Sequence, residues 1–411
     1  DGLCAIFPPL VYIQVAYHAL GEPRDHWLRQ QCEHEIERWI VDGTDTNPPH
    51  KRIAPCFSPV WDTGIALYAV TETGVTASSD ERLAKTCDWL REREVMTVGD
   101  WVHNLRPADR TLTMGPGGTD AAWAFEYRNE WSPDVDDTAM ICKSLWRAGD
   151  RPGENANRDA AKRGIRWILR MQNDDGGFAA FDRTKHRNWM EAIPFADHNA
   201  MQDPSCADIT GRTLEALITC GVPQDHPAVK RAVRYLQHEQ YDFGGWWGRW
   251  GVNFIYGTWQ AVGGLVHAGE DPKQPYLQRT ADWLRSIQQD DGGFGENANS
   301  YLSGEGGRKW IGVGKTTASQ TAWAVMALMF LAGAEDPAVE RAIHFLCNNQ
   351  LKHPAPANFP EHPLEEPAGS WQESEFTGGG FPKVFYLRYH LYRHYFPQMA
   401  LARYTNLVSD N

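Results

Sequence analysis

Three carboxyls crowd one short stretch of this 411-residue chain, Pro133-Asp134-Val135-Asp136-Asp137-Thr138, immediately before an apolar helical segment. Acids in that place can simply stabilise a helix N-terminus, where free N–H groups and the helix dipole favour negative charge. Two metal readings fail on spacing. An EF-hand loop needs Gly in its sixth position and Glu in its twelfth, where Ala139 and Leu145 stand. A magnesium–diphosphate motif of the Asp-Asp-x-x-Asp kind needs Asp where Met140 stands. What remains is acid catalysis: three carboxyls packed together cannot all ionise cheaply, so a buried one stays protonated near neutral pH.

Aromatic rings form the second chemical cluster. Phe381, Phe385, Tyr389 and Tyr392 recur at spacings of 4, 4 and 3, which predicts one side of a helix or its lead-in. A second dense patch runs from Trp246 to Tyr256. Such rings either fill a core or wall a cavity suited to a bulky apolar ligand or a carbocation, which ring faces attract. Two other signals fade. Gly314-Lys315-Thr316 imitates the end of a phosphate loop, but Lys309 stands where that loop needs Gly. His390 and His394 lie four apart with no carboxylate spaced to complete a metal site.

The elements that must position these groups are helices in repeats. Asn173-Asp-Asp-Gly-Gly-Phe178 recurs as Gln289-Asp-Asp-Gly-Gly-Phe294 and, more loosely, as Asp242-Phe-Gly-Gly-Trp246. A basic residue, an aromatic and a Gln lead into each copy: Arg163, Trp167 and Gln172; Arg231, Tyr235 and Gln240; Arg279, Trp283 and Gln288. Arg341, Phe345 and Gln350 open a fourth copy, whose Trp371 is delayed by an insertion from about Leu351 to Gly369. The basic residue and the aromatic share a helix face, the Gly pair ends the helix, and the Gln is placed to bond free carbonyls at that end. Apolar segments of helical period lie between the copies: Trp61 to Thr73, Asp137 to Ala148, Cys206 to Thr219, Gly257 to Ala268 and Ser319 to Ala332. Strand signals are few. The fold class is all-α, with helix pairs closing into a toroid or running as a solenoid.

Composition narrows the partners. Forty Lys and Arg against 53 Asp and Glu give a net charge of −13, which excludes a nucleic-acid surface. The chain holds 18 Trp, of which the repeats absorb only a few. Eight scattered Cys without a C-x-x-C pair fit a reducing compartment. No apolar run is long enough to span a bilayer; the best, Ile6 to Leu20, contains Pro8, Pro9, Gln14 and His18. The chain starts at Asp1 in mid-pattern, and we expect its true N-terminus to lie upstream.

The repeats, joined to Pro133-Asp134-Val-Asp136-Asp137-Thr138-Ala139, closely resemble the squalene–hopene cyclases of bacteria, a branch of the triterpene cyclase family. Ser58-Pro-Val-Trp61-Asp62-Thr63, Gly248-Arg-Trp250-Gly-Val-Asn253, Ser319-Gln-Thr-Ala-Trp323 and Gly380-Phe-Pro382 extend the match, which covers essentially the whole chain. The resemblance implies two α-α barrels with a cavity between them. Residues 1–50 would end one barrel and residues 51–411 would form the catalytic one, making this the C-terminal two-thirds of the family's chain and leaving one cavity wall to the missing part. It implies Asp136 as proton donor to the terminal alkene of squalene, flanked by Asp134 and Asp137. Arg212 stands where well-known members carry His and acts through its charge, since Arg does not shuttle protons. Matching cavity positions are Trp61, Phe125, Phe181, Phe195, Trp250, Tyr256, Phe381, Phe385 and Tyr389.

Two departures bear on the product. Phe181 replaces a Tyr of the family, and Phe7 replaces a Gln that helps hold the terminating water, leaving alkene against alcohol open. The intact Asp137 favours squalene over its epoxide. No metal or organic cofactor is implied. The implied partners are squalene, a membrane surface on the cytoplasmic side met by monotopic association, and a second copy in a homodimer. Two alternatives stand beside this: another class II terpene cyclase acting on a different prenyl chain, and a non-catalytic helical toroid that binds lipid. The chain can also be a partial copy of a gene.

Overall fold

Two kinds of helix alternate along the chain, and their apolar patterning distinguishes them. The structure, a computed structural model, describes residues 7–43, 50–184, 187, 189–190, 193, 201–302, 305–356 and 365–409. In order, the helices are α1 (Phe7–Ala19), α2 (Trp27–Arg38), α3 (Pro59–Thr71), α4 (Glu81–Arg91), α5 (Val135–Ala148), α6 (Ala156–Met171) and α7 (Ala207–Thr219). There follow α8 (Pro227–Glu239), α9 (Phe254–His267), α10 (Pro275–Ile287), α11 (Glu305–Arg308), α12 (Ala318–Ala332), α13 (Pro337–Asn349) and α14 (Tyr392–Ser409). Helices α5, α7, α9 and α12 are buried on nearly every face; α9 and α12 are apolar or small-residue almost all round, while α5 and α7 also bury charged residues. Helices α4, α6, α8, α10 and α13 bury one stripe and show charge on the other.

The inner helices form a closed ring. Helix α3 packs on α5, α5 on α7, α7 on α9, α9 on α12, α12 on α14, and α14 returns to α3. Outer helices α4, α6, α8 and α10 each lie across the groove between two inner neighbours, α6 for example touching both α5 and α7, and α13 packs on α12. This is the toroid expected, an α-α barrel. Helices α7 and α9 come closest: a Cβ on Gly211 would lie 2.2 Å from the Gln260 carbonyl oxygen, and one on Gly264 would lie 2.4 Å from that of Gly211. Only glycine permits this approach, and it fixes the depth of the adjoining Arg212. Helices α1 and α2 have a small core of their own in Leu10, Cys32 and Trp39.

The repeat glutamines are joints, though their partners differ from those expected. Gln172 Nε2 donates to the Gly176 carbonyl (2.9 Å) and to the Ala228 carbonyl in the first turn of α8 (2.8 Å). Gln240 and Gln288 reach Tyr276 and Ala338 of the next outer helices in the same way. The cause lies in the backbone. Gln172 is the C-cap of α6 in extended conformation, with φ −61° and ψ 125°, so its side chain points past its own helix. Each Gln Oε1 then accepts from the basic residue of the following copy: Arg231 on Gln172, Arg279 on Gln240, Arg341 on Gln288. We expect Gln172→Leu to cost about 2–3 kcal/mol, because buried carbonyls and the Arg231 guanidinium lose partners. It should appear as a lower denaturation midpoint at unchanged slope.

An earlier copy was hidden in the sequence. Lys85, Trp89 and Glu94 keep the spacing of Arg163, Trp167 and Gln172, and Arg163 bonds Glu94 at 2.6 and 2.8 Å as the other arginines bond Gln. Its aromatic is Trp123, whose Nε1 donates to the Leu90 carbonyl at 2.7 Å, just as Trp246 donates to Leu236 and Trp371 to Leu346. The insertion of the last copy is closed by Gln350 on the Gly369 carbonyl.

The strands are short pairs: β1 (Ile40–Gly43) with β2 (His50–Ile53), β3 (Ala355–Pro356) with β4 (Glu365–Glu366), and β5 (Gly378–Phe381) with β6 (Phe385–Leu387), all antiparallel. The last pair corrects the helical reading of the ring stripe. Three successive glycines and Pro382 oppose a helix, Lys383 turns the chain with φ 72°, and α14 begins only at Tyr392. The hairpin hangs Phe381 over the ring's open end.

Candidate active site

The three acids of the cluster are placed differently. Asp134 is the N-cap of α5: its Oδ1 accepts from the backbone N–H groups of Asp136 (2.6 Å) and Asp137 (3.1 Å). Its own N–H is held by the Trp123 carbonyl at 2.8 Å. Asp136 and Asp137 occupy the first turn with carboxyls that the cap does not use. Asp137 Oδ1 is buried without a hydrogen-bond partner. Burial pushes Asp134 and Asp137 well above the usual carboxylate range, and each is raised further by its acidic neighbours.

Asp136 has a counter-charge. Its Oδ1 lies 3.0 Å from Arg212 Nε, an ion pair that is close yet not aligned as a hydrogen bond. Burial raises its carboxyl to about 6, against the opposing pull of Arg212. Arg212 is fixed on three sides: Nη2 donates to Tyr256 Oη at 2.5 Å, Nη1 faces Met140 Sδ, and the guanidinium sits 4.6 Å from the Trp61 ring centroid. A second buried pair spans the same two helices with reversed polarity, Lys143 of α5 on Glu215 of α7 at 2.8 Å. Tyr68 also donates to Glu215 at 2.9 Å.

These acids open onto a cavity of about 900 Å³. Trp61, Phe125, Phe181, Trp250, Phe381 and Tyr389 all line it with Asp134, Asp136 and Asp137. Edge contacts tie the rings together: Phe125 to Tyr389 at 6.3 Å and Phe181 to Trp250 at 6.0 Å between centroids. Asp208 holds the Trp250 loop by accepting the N–H groups of Arg249 (2.9 Å) and Trp250 (2.8 Å). Tyr256 is placed differently from the reading above. It is 1% exposed, absent from the cavity lining, and serves as the anchor of Arg212 against Trp323. Phe195 lies outside the described residues, as does the side chain of Phe385.

Several lining residues escaped the sequence reading. Tyr392 stacks on Tyr389 at 4.4 Å and accepts from Trp61 Nε1 at 3.1 Å; its place in the ring stripe was the available signal. Trp39, Phe57, Glu126, Tyr127 and Trp131 also line the cavity, and no motif marked them. The arrangement joins buried carboxyls, all raised above their ordinary range, to an apolar room walled by rings. It can protonate a very weak base and stabilise the cation that results.

Comparison with known proteins agrees with this geometry. A squalene–hopene cyclase of Zymomonas mobilis is 39% identical over 415 residues, covering 100% of this chain and 59% of its own. That of Alicyclobacillus acidocaldarius is 39% identical over 352 residues, covering 86% and 51%. The chain thus spans about 59% of the length of such relatives. Among solved structures, an ent-copalyl diphosphate synthase from Streptomyces platensis superposes with a TM-score of 0.52 at 16% identity, covering 92% of this chain and 54% of that one. It supports the fold alone. Residues 57–406 match the family described as the squalene-hopene cyclase C-terminal domain, and the chain belongs to that family.

Proposed function

We propose that this chain carries the catalytic acid and the aromatic wall of a squalene cyclase, which protonates the terminal alkene and guides a cationic ring-closing cascade to hopene or hopanol. The observation that carries the reading is Asp136, 7% exposed, opening onto the aromatic cavity with Arg212 behind it. An alkene accepts a proton only from a strong acid in a place where water does not compete. The Arg212 charge stabilises the carboxylate as the proton leaves, and the rings replace water around each successive cation at about 2 kcal/mol per desolvated contact.

The 39% identity to squalene–hopene cyclases supports squalene as substrate. A diphosphate-bearing chain fits less well, since Arg38 and Arg128 are the basic residues among the lining. A membrane surface on the cytoplasmic side is the proposed source of so apolar a substrate. Exposed Trp131 (66%) and Tyr127 (55%), both on the cavity wall, support entry from lipid. Among the described residues no helix is long and apolar enough to cross a membrane, in keeping with surface association.

The test is turnover of squalene in heavy water by the full natural protein. The expected product is cyclised and carries one carbon-bound deuterium, in a ring methylene of the first ring closed, beside the carbon that bears its two methyl groups. No cyclised product, or one free of carbon-bound deuterium, would overturn the proposal.

A further inference from the structure

A cascade started by one proton must also end: the last cation either loses a proton to a base or takes up water, which then sheds one. Both exits need a proton acceptor on the cavity wall, away from Asp136. Outside the acidic cluster, the described wall offers three carboxyls, Glu35, Glu126 and Glu130. Glu35 is occupied by Arg38 Nη1, which reaches both its oxygens at 2.9 Å. Glu130 accepts from Thr97 Oγ1 at 2.9 Å. Glu126 differs, for its Oε1 is buried and has no hydrogen-bond partner. The position where the family holds its terminating water offers no substitute, since Phe7 has no polar side-chain atom and packs on the small core of Leu10, Cys32 and Trp39.

From these contacts we propose that Glu126 is the base that ends the cascade and sets the ratio of alkene to alcohol. This inference rests on the cyclase reading above. In the alkene exit, the Glu126 carboxylate takes a proton from the carbon beside the last cation, and the C–H electron pair becomes the double bond. In the alcohol exit, water oxygen bonds to the cation while Glu126 takes the proton that water releases. Either way Glu126 ends as the neutral acid and returns its proton to solvent, while Asp136 regains one.

The surroundings suit the task. Burial holds Glu126 at about 7, with the Phe57 backbone N–H favouring its ionised form. Glu35 and Arg38 of α2 face it with opposite charges. The neighbouring Cys56 thiol is pushed up to about 12, mainly by burial, and is therefore a neutral bystander. Arg128 and Glu130 of its own loop complete the charged groups on that wall. The main charges acting on Asp136 are a different set, Arg212, Asp208 and Lys143. The two carboxyls thus sit in separate electrostatic surroundings on one cavity.

The experiment compares wild type, Glu126→Gln and Glu126→Asp in the full natural protein, with squalene as the probe and products resolved by mass. Glu126→Gln is expected to lower kcat about 10²-fold, to leave KM within about twofold, and to shift the products toward incompletely cyclised ones. Glu126→Asp is expected to restore the full cascade with a changed alkene-to-alcohol ratio. In the pH profile, the acid-side decline of kcat imposed by protonation of Glu126 should vanish in Glu126→Gln. Wild-type turnover and product ratio in Glu126→Gln would overturn the role of Glu126 and leave the cyclase reading standing. A wild type that makes no cyclised product overturns both.

Discussion

Asp136→Asn is expected to lower squalene cyclisation by about 10⁴-fold or more, with the cavity and the fold left in place. General acids contribute about 10²–10⁴-fold where water can substitute for them, and nothing substitutes for this one in a dry room of rings. The isosteric Asn removes the proton without disturbing the start of α5, because that turn is capped by Asp134 and uses only the backbone N–H of position 136. The same chemistry sets the alkaline side of the wild-type pH profile. Only the protonated carboxyl donates, so the ionisation of Asp136, which burial lifts to about 6, sets the alkaline limb. Stability follows in sign: the folded chain holds this proton above the unfolded value of 3.8, so its contribution is complete below that value and is lost as pH rises through about 6. Steady-state rates of product formation across pH 5 to 8 check the first statement, and denaturation midpoints across the acidic range check the second. Full activity in Asp136→Asn would pass the acid role to Asp137, whose free oxygen is the nearest competitor.

What could be read from the sequence follows from how local each signal is. The inner helices α9 and α12 were legible because they are apolar over whole turns, and α5 and α7 because their apolar residues keep the helical period. Asp134, Asp136 and Asp137 were legible as a crowded acid cluster, but which one caps and which one acts depends on the backbone path of a single turn. Arg212 came only through family resemblance. Its partner Asp136 lies on another helix, and the contact arises only where α5 and α7 pack together. The hairpin of β5 and β6 was misread because ring spacing imitates a helix while glycine decides against it. The copy at Lys85, Trp89 and Glu94 was missed because Glu stands for Gln and the closing Trp123 comes late. Glu126 could not be found at all. Its orphaned oxygen is made by how α2 and the Cys56–Phe57 loop pack across it, and no spacing along the chain encodes that.

Arg212→Ala is the second large effect, about 10²–10³-fold in kcat, the loss seen when one preorganised charge or donor leaves a developing anion. Two consequences act together. Arg212 pulls Asp136 down from where burial alone would hold it, so without it the carboxyl is a weaker acid. The carboxylate left behind after proton transfer also loses its counter-charge inside a dry wall. Arg212→Lys restores charge without the planar group that lies over Trp61 and bonds Tyr256, and it should recover only part of the rate. Arg212→His separates a charge role from a packing role. Imidazole loses its charge near pH 6.5, so this variant should work at pH 5.5 and fail steeply by pH 7.5, an ionisation that the always-charged guanidinium of the wild type does not add. A pH profile for Arg212→His that parallels the wild type, or an Arg212→Ala variant within threefold of it, would mean that the residue only fills space between α5 and α7. Asp136 would then hold its proton through burial, and the anion left behind would rely on charges other than Arg212.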